Sequence, residues 1–503
     1  MNLQELFAVI PGLSREIPEV DVTGLFHDAR RVVPGGVFVA IAGGKADGHD
    51  FLRQAVDRGA AALVVADVSK VPADFQGFVL QVEQTRAMLD VLASRFYHQP
   101  AQEMFCVGIT GTNGKTSTAY LVEAILNAAG MPCGVIGTVN HHLKEHVWPS
   151  EMTTPDPVFL QRRLREFRDA GAAAVSMEIS SHALDQRRAD SVPFNTVVFT
   201  NLTRDHLDYH ADMEDYFQAK QRLFLDLLWK TSKRPCRAIV NVDDAWGRRL
   251  RIADPARLWT YGRGDADFSF RITRLEMTRA VFELKTPQGT ATVDLPMGGE
   301  HNVQNAVAAI AVGLSAGIGL AACAQALSAF PGVPGRLQSV PNNRGVAVFV
   351  DYAHSPDALE NVLSALRKVR EQSGSNGRLW TVFGCGGDRD KGKRPEMARL
   401  AVQLSDEVVV TSDNPRTEDP QRIIQDILQG TGGADARHLH TIVDRRDAIL
   451  FALENARSGD AVLIAGKGHE DYQIIGTEKT PFSDFDVARE FFQRSSRFES
   501  HES

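Results

Sequence analysis

The sequence predicts an α/β protein whose sheets are largely parallel and are joined by crossover helices. Runs of β-branched and other apolar residues alternate with stretches of helical character through most of its 503 residues. Several of these runs end in polar or Gly-rich segments, as strands of such sheets do. With about 150 residues per domain as a guide, this length predicts about three domains. We place them at residues 1–95, 96–330 and 331–503.

The first two domains are predicted from short strand-like runs and from the helices between them. Residues 1–95 mix the two, whereas a stricter order of strand, loop and helix begins at Met104. That order indicates a parallel sheet with crossover helices. The predicted strands are Gly36–Ala42, Ala61–Ala66, Phe78–Val82, Phe105–Ile109, Ala174–Met177 and Thr196–Thr200, and the predicted helices are Thr85–Tyr97 and Lys115–Ala129.

The third domain is predicted to be a Rossmann-like, doubly wound sheet. It follows the segment Phe330–Arg336, whose Pro and Gly content is typical of a linker or hinge. Ligands of such sheets bind at the carboxyl ends of the strands, so we expect the four polar strand ends to converge on one crevice. Those ends are Asp351–His354, Gly384–Asp388, Asp413–Arg416 and Gly466–Glu470. The strands before them are Val346–Val350, Leu379–Phe383, Glu407–Val410 and Ala461–Ala465, and the helices between are Pro356–Val369, Pro395–Leu404, Gln421–Leu428 and Arg446–Ala456.

Composition excludes several classes of protein. A formal net charge of -8 argues against a general nucleic-acid binder, which needs a basic face. The five cysteines are scattered and suggest neither a disulfide framework nor a zinc site. Met1–Glu5 lacks the basic start of a signal peptide, and the Ala- and Gly-rich segment Ala306–Cys323 predicts one buried helix rather than a membrane span. We therefore expect a cytoplasmic protein with reduced thiols.

A phosphate-binding loop is predicted at Thr110-Gly-Thr-Asn-Gly-Lys-Thr116, which follows a strand and opens a helix. In this setting backbone N–H groups and the helix dipole cradle phosphates, with Lys115 on the β- and γ-oxygens and Thr116 on Mg²⁺. The general pattern has Gly where this chain has Ile109, so the match to that pattern is partial. The alternative is a tight strand-to-helix turn. We predict a central P-loop ATPase-like sheet.

Charged residues after the neighbouring strands are candidate metal ligands. Glu178 ends one strand, the segment Asn201–His210 ends the next, and Lys220 lies ten residues further on. Carboxylate oxygens are the ligands that Mg²⁺ prefers beside phosphate, although His is less usual. Taken alone, each residue would more often be a solvated loop end, and Lys220 an exposed helix lysine.

These segments together resemble the Mur ligase family, and the likeness covers nearly the whole chain. The family's phosphate loop has the form found at Thr110–Thr116. The resemblance implies an ATP- and Mg²⁺-dependent amide ligase with an N-terminal UDP-substrate domain, a central ATP-binding domain and a C-terminal amino-acid domain. It implies ATP binding by Gly111, Thr112, Asn113, Gly114, Lys115, Thr116, Ser117, Asn302, Asn305, Arg336 and Asp351. It further implies that Lys115, Glu178, His206 and Lys220 are catalytic and that Thr116, Glu178, His206 and the carbamate of Lys220 hold metal.

Within the family, the chain is most similar to members that add meso-2,6-diaminopimelate to UDP-N-acetylmuramoyl-L-alanyl-D-glutamate. The implied residues for the UDP-linked substrate are Ala29, Gly44, Lys45, Ala46, Thr153, Thr154, Ser180, Gln186 and Arg188. The implied residues for the amino acid are Arg389, Asp413, Asn414, Pro415, Arg416, Gly466 and Glu470. The chain departs from the usual pattern at Ala29, where Ser is usual, and at Met152, where Asn is frequent.

The resemblance also implies the reaction: ATP phosphorylates the side-chain carboxylate of D-glutamate, and an amine attacks the acyl phosphate. The partners are then ATP, the UDP-N-acetylmuramoyl-dipeptide and meso-diaminopimelate, and we expect a monomer. Two alternatives stay open at this point. One is a folylpolyglutamate synthase, which shares the two ATP-binding domains, and the other is a P-loop switch or motor that hydrolyses nucleotide to drive a partner.

Overall fold

The predicted α/β class is confirmed. The structure, a computed structural model, describes residues 1–8, 10, 17–43, 46–234, 236–254, 257–374, 376–432 and 438–499. It divides into two compact units, one comprising Met1–Ser269, Thr286–Gly289 and Val307–Cys323, the other Phe270–Lys285, Thr290–Ala306 and Ala324–Ser503. The three domain boundaries stay predictions.

The first unit begins with a four-stranded parallel sheet in the order β1-β2-β3-β4. Both of its faces are covered: Val37 and Val39 enter one hydrophobic cluster, while Phe38 and Ala40 enter another. Burial of both faces explains why these strands read as continuous apolar runs. The elements are α1 Leu3–Phe7, β1 Leu25–Phe26, β2 Val37–Val39, α2 Leu52–Asp57, β3 Ala62–Val65, β4 Phe78–Gln81 and α3 Thr85–Phe96.

The rest of the first unit contains the predicted central sheet, with the strand order β12-β11-β10-β5-β9-β6-β7-β8. The pairs from β12 to β6 are parallel, while β7 and β8 add an antiparallel edge that the sequence did not predict. The elements are β5 Phe105–Thr110, α4 Lys115–Ala128, β6 Cys133–Ile136, β7 Asn140–Leu143, β8 His146–Pro149, α5 Pro157–Asp169, β9 Ala174–Glu178, α6 Ser181–Asp185, β10 Thr196–Phe199, α7 Met213–Arg222, α8 Leu228–Lys230, β11 Arg237–Asn241 and β12 Leu258–Gly262.

The single buried helix predicted for Ala306–Cys323 is wrong. The segment forms the end of α9 and the start of α10, because Gly317 adopts a φ of +85° and turns the chain between them. Among the described residues, no helix is long and apolar enough to cross a membrane. The elements here are β13 Phe268–Leu275, β14 Ala280–Thr286, β15 Gly289–Leu295, α9 Glu300–Ser315 and α10 Leu320–Ser328.

The second unit contains the predicted doubly wound sheet, in the order β16-β17-β21-β18-β19-β20. Its strands β17 to β20 are parallel, and β16 adds an antiparallel edge. Hydrophobic clusters cover both faces. The elements are β16 Gln338–Val340, β17 Ala347–Asp351, α11 Pro356–Ser373, β18 Leu379–Phe383, α12 Lys393–Leu404, β19 Glu407–Val410, α13 Pro420–Leu428, β20 Leu439–Thr441, α14 Arg445–Asn455, β21 Ala461–Ala465, β22 Tyr472–Ile475, β23 Glu478–Pro481 and α15 Asp484–Glu499.

Candidate active site

The phosphate loop joins β5 to α4 and has a shape that requires glycine. Gly111 has a φ of +148°, and a Cβ atom there would lie 1.9 Å from Thr200 Oγ1. Gly114, with a φ of +85°, precedes the first residue of α4. Thr118 N donates the first helical hydrogen bond of α4, to Gly114 O. The amides of the turn before Thr118 have no carbonyl of the helix to bond to, and such amides at a helix N-terminus can bind an anion.

The segment that follows β10 holds this loop in place. Thr112 N donates to Asn201 O at 2.9 Å, and Asn113 N donates to Asn201 Oδ1 at 2.9 Å. Thr200 Oγ1 donates to Asn113 O at 2.7 Å. These bonds occupy the amides of Thr112 and Asn113, so a phosphate predicted at this loop would be bound by the amides closer to the helix. Thr200 was predicted only as the end of a strand, and Asn201 only as part of the segment after β10.

Two lysines converge on the same loop. Lys115 Nζ donates to Gly111 O at 3.0 Å and to Thr112 O at 2.7 Å. Lys220 Nζ, from α7, donates to Gly111 O at 2.8 Å and lies 4.5 Å from the centre of the Tyr216 ring. The Lys220 side chain is only 1% exposed. Burial, reinforced by the Lys115 charge, lowers the pKa of Lys220 well below its usual value, which favours the uncharged amine.

Glu178, the last residue of β9, presents its carboxylate to the start of α4. It is 1% exposed and accepts from Thr116 Oγ1 at 3.0 Å, from Thr138 N at 2.9 Å and from Thr138 Oγ1 at 3.1 Å. Gly137 leaves room for it, because a Cβ there would lie 2.2 Å from Glu178 Oε1. Gly137 and Thr138 were not among the predicted site residues. Their signal was a Gly-Thr pair directly after a buried strand.

The third predicted ligand, His206, lies in a cluster of aromatic rings. It has a φ of +53°, and its ring centre lies 5.0 Å from that of His182 and 5.9 Å from that of Tyr216. Burial lowers the pKa of His206, so burial favours the neutral imidazole, the form that binds metal. In the part of the chain that the structure describes, no three His, Cys, Asp or Glu side chains form a group that could hold a metal ion.

The predicted muramoyl-dipeptide residues of the first unit form one hydrogen-bond network at the end of β9. Thr154 Oγ1 donates to Glu178 O at 2.8 Å and accepts from Ser180 N at 3.0 Å. Arg188 donates to Thr154 O at 2.9 Å and to Gln186 Oε1 at 2.6 Å. Thr153, the remaining predicted residue, joins this network through Oγ1, which lies 3.1 Å from Thr138 Oγ1. Met152, where Asn is frequent in the family, joins it through Sδ, which lies 3.4 Å from Arg188 Nη1.

The predicted uridine residues are described in part. The Ala29 side chain is buried in a hydrophobic cluster. At this position, where Ser is usual in the family, the protein therefore has a methyl group that packs in the core. Ala46 O accepts from Gly43 N at 2.9 Å and shapes a turn. The other two predicted residues, Gly44 and Lys45, lie outside the described residues.

The predicted nucleotide residues of the second unit lie on β17, on the segment before β16 and on α9. Asp351 is buried and accepts from Leu337 N at 2.7 Å and Ala353 N at 2.8 Å, while burial raises its pKa. Within the described residues, Arg336 Nε and His469 Nδ1 are buried and have no hydrogen-bond partner. Buried polar atoms of this kind are atoms that a bound ligand can satisfy. Separately, Asn302 Nδ2 donates to Gly298 O at 2.8 Å and Asn305 Nδ2 to Asn302 Oδ1 at 3.4 Å.

The four strand ends of the doubly wound sheet enclose one crevice of about 430 Å³, as the sequence predicted. It is lined by every residue that was predicted to bind the amino acid except Pro415, whose carbonyl oxygen lies against Gly387. Several of the lining residues were not predicted to bind the amino acid, although Tyr352, His354, Gly384 and Cys385 lie in the predicted strand-end segments. The lining residues are Tyr352, His354, Gly384, Cys385, Gly386, Arg389, Asp390, Lys393, Asp413, Asn414, Arg416, Gly466 and Glu470.

The hairpin β22–β23 holds Arg416 in the crevice. Arg416 has a φ of +51°, its N–H donates to Ile474 O at 3.1 Å, and its carbonyl accepts from Gly476 N at 2.7 Å. Nη1 of the guanidinium donates to Gly387 O at 2.8 Å. This strained backbone is fixed on both sides, which is typical of a residue at a functional site. The hairpin was not predicted from the sequence.

Comparison with known proteins agrees with this architecture. The model of the Mur ligase family catalytic domain matches residues 21–97, that of the Mur ligase middle domain matches residues 109–313, and that of the Mur ligase glutamate ligase domain matches residues 335–468. The UDP-N-acetylmuramoyl-L-alanyl-D-glutamate--2,6-diaminopimelate ligase of Geobacter sulfurreducens is 44% identical over 98% of this chain and 99% of its own. A solved structure of a ligase of the same name aligns with a TM-score of 0.70 at 32% identity over 99% of both chains.

A P-loop beside a buried carboxylate is typical of an enzyme that uses a nucleotide. The polar crevice in the doubly wound sheet indicates a second binding site in the same enzyme. These matches show that the chain belongs to the Mur ligase family. It is an ATP-dependent, ADP-forming acid–amino-acid ligase.

The folylpolyglutamate synthase alternative has weaker support. A Mycobacterium tuberculosis folylpolyglutamate synthase complexed with ADP and AMPPCP aligns with a TM-score of 0.57 over 76% of this chain and 92% of its own. The identity is 20%, so this likeness concerns the fold alone. Residues 21–97, by contrast, match a Mur ligase domain.

Proposed function

We propose that the protein ligates meso-2,6-diaminopimelate to UDP-N-acetylmuramoyl-L-alanyl-D-glutamate, with ATP converted to ADP and phosphate, in peptidoglycan precursor synthesis. The observation that carries this proposal is the 44% identity, over nearly the full length of both chains, to a ligase of that name. We place the reaction in the cytoplasm, where ATP is available.

The first step is phosphoryl transfer. A side-chain oxygen of D-glutamate attacks the γ-phosphorus of ATP, the bond to the β–γ bridging oxygen breaks, and ADP leaves. Lys115 and the amides at the start of α4 bind phosphate oxygens on which negative charge accumulates. Thr154, Ser180 and Arg188 orient the peptide, because their shared network starts from the strand that carries Glu178.

Mg²⁺ fits the donors at the start of α4. Glu178 offers a carboxylate 3.0 Å from the hydroxyl of Thr116, and oxygen donors of this kind, completed by phosphate oxygens, are those that Mg²⁺ uses in nucleotide sites. The ion would neutralise phosphate charge when bound. His206 would serve a second ion together with a carbamate on Lys220.

Carbamylation of Lys220 is consistent with its surroundings. An uncharged amine can add to CO₂, forming an N–C bond and releasing a proton, whereas an ammonium cannot. Burial and the neighbouring Lys115 favour the uncharged amine at Lys220. The product is an anion with two oxygens, beside the loop that carries Lys115.

The second step is amide formation in which the amine of the amino acid attacks the acyl phosphate carbon. Phosphate leaves and the nitrogen loses a proton. The crevice suits an amino acid with charges at both ends, because Arg389 and Arg416 can pair with carboxylates and Asp413 and Glu470 with ammonium groups. The negative charge of the tetrahedral intermediate and of the leaving phosphate is again stabilised at the phosphate loop.

The test is ADP release measured with each substrate omitted in turn. We expect turnover only when ATP, the UDP-linked dipeptide and meso-diaminopimelate are all present. A P-loop switch or motor would release ADP without the dipeptide and the amino acid, and that result would contradict the proposal.

Acceptor specificity is predicted to depend on Arg416. Its planar guanidinium can hold the distal carboxylate of meso-diaminopimelate through two hydrogen bonds, whereas L-lysine has no such carboxylate. We expect Arg416→Ala to lose most of the preference for meso-diaminopimelate over L-lysine, which can reach ~10⁴-fold in a site of this kind. The KM for ATP should not change. The measurement is kcat/KM for both acceptors.

The matched control for that variant is Arg422→Ala. Arg422 is an exposed residue of α13 and does not line the crevice. The control removes the same charge from the same unit and should keep the preference of the unmodified enzyme. An unchanged preference in Arg416→Ala would contradict the role of Arg416.

A further inference from the structure

Lys467 is buried behind the amino-acid crevice without lining it. It follows β21, its side chain is 0% exposed, and its charge is met by two polar groups. Nζ donates to Asn414 Oδ1 at 3.0 Å and to Glu470 Oε2 at 3.1 Å. Both partners line the crevice, so Lys467 connects two side chains that can touch the amino acid.

The contacts of Lys467 determine which way the Asn414 amide faces. Asn414 Oδ1 accepts from Lys467 Nζ and from Ile474 N, each at 3.0 Å. Asn414 Nδ2 donates to Glu470 Oε2 at 2.9 Å. A flipped amide would place its NH₂ group against two donors and its oxygen against a carboxylate, so the flip is unfavourable. The second N–H of Nδ2 is thereby left as a donor for a ligand.

The same contacts orient Glu470. The bonds from Lys467 and from Asn414 both go to Oε2, which leaves Oε1 as the oxygen for a ligand. The contact of Lys467 Nζ with Oε2, at 3.1 Å, is also an ion pair. The result is an amide donor beside a carboxylate acceptor, and this pair matches the carboxylate and ammonium of one α-amino-acid centre.

We propose that Lys467 is a positioning residue for the acceptor amino acid and acts through Asn414 and Glu470. The proposal rests on the proposed function, in which the crevice binds a diamino dicarboxylic acid. Without Lys467, Asn414 can rotate and Glu470 loses a cationic neighbour, so recognition of an amino-acid centre weakens. Binding of the nucleotide and of the UDP-linked peptide does not depend on these contacts.

The experiment compares Lys467→Met with Lys479→Met in the full-length enzyme. Methionine keeps the length of the buried side chain and removes its charge, while Lys479 is an exposed lysine stacked on Tyr472 in the adjoining hairpin. For Lys467→Met we expect the KM for meso-diaminopimelate to rise about tenfold or more, as the loss of hydrogen bonds to charged groups implies. The KM values for ATP and the UDP-linked dipeptide should stay within about twofold. Lys479→Met should behave as the unmodified enzyme does.

The outcomes separate this inference from the proposed function. If the unmodified enzyme does not use meso-diaminopimelate, the proposed function fails. If it does, and Lys467→Met leaves the KM for meso-diaminopimelate unchanged or raises all three KM values together, the positioning role is wrong. If the Lys467→Met variant does not fold, the experiment uses Lys467→Gln in its place. Its shorter amide can still donate to one partner, so a smaller rise confined to meso-diaminopimelate supports the role, and no rise overturns it.

Discussion

Lys115→Ala is expected to abolish ligation and to leave the fold intact. Removing one preorganised cation from a phosphoryl-transfer site costs about 3–4 kcal/mol of transition-state stabilisation, or ~10²–10³-fold in kcat. The fold should survive because the hydrogen bonds from Lys115 Nζ to Gly111 O at 3.0 Å and to Thr112 O at 2.7 Å lie within its own loop. The measurements are kcat for ADP release and the melting temperature.

The control for this variant is Lys230→Ala. Lys230 is an exposed lysine of α8 that pairs with Asp226 one helical turn away, an arrangement that contributes little to stability. It should retain full activity. Near-normal ligation by Lys115→Ala would contradict the assignment of the ATP phosphates to this loop.

Lys220→Ala is expected to be nearly inactive and to regain part of its activity with added acetate or formate. A short carboxylate can enter the space that the side chain leaves and can supply the anionic oxygens of the carbamate. The unmodified Lys220 amine bonds only to Gly111 O among the described atoms, and its burial favours loss of its proton. The measurement is kcat for ADP release as a function of carboxylate concentration.

The comparison variant for rescue is Lys115→Ala, which loses a cation and should gain nothing from acetate. Rescue of both variants would point to a general salt effect. Full activity of Lys220→Ala without additives would show that no carbamate is needed at this position.

Most of the crevice could be predicted from the sequence because its residues follow apolar strands directly. Asp413–Arg416 and Gly466–Glu470 each come after a buried run, and parallel strands bring such ends to one edge. The hairpin β22–β23 could not be predicted in this way. Its pairing with Arg416 joins residues far apart in the chain, and Tyr472–Pro481 has no alternation that distinguishes it from a loop.

Two features show what local patterns leave out. The run Ala306–Cys323 has the composition of one helix, yet Gly317 with its positive φ ends α9 there, and the reason lies in backbone conformation. Lys467 stands between two glycines and resembles a surface lysine in the sequence. It is buried because Asn414, on another strand end, accepts its hydrogen bond. Contacts of this kind depend on tertiary structure.

The position of Glu178 illustrates the opposite case. A carboxylate at the end of a strand next to the phosphate loop was a candidate metal ligand from position alone, and its contact with Thr116 at 3.0 Å agrees with that candidacy. The supporting residues Gly137 and Thr138 were missed, because a Gly-Thr pair after a strand occurs in many turns.

The most direct test of the central claim is a ligation assay in which meso-diaminopimelate, L-lysine and glutamate compete for the UDP-linked dipeptide. The products differ in mass, so mass spectrometry identifies which amino acid was added. We predict that the meso-diaminopimelate product dominates and that ADP is released in equal amount. Efficient formation of the L-lysine or glutamate product, or ADP release without any ligated product, would contradict the claim.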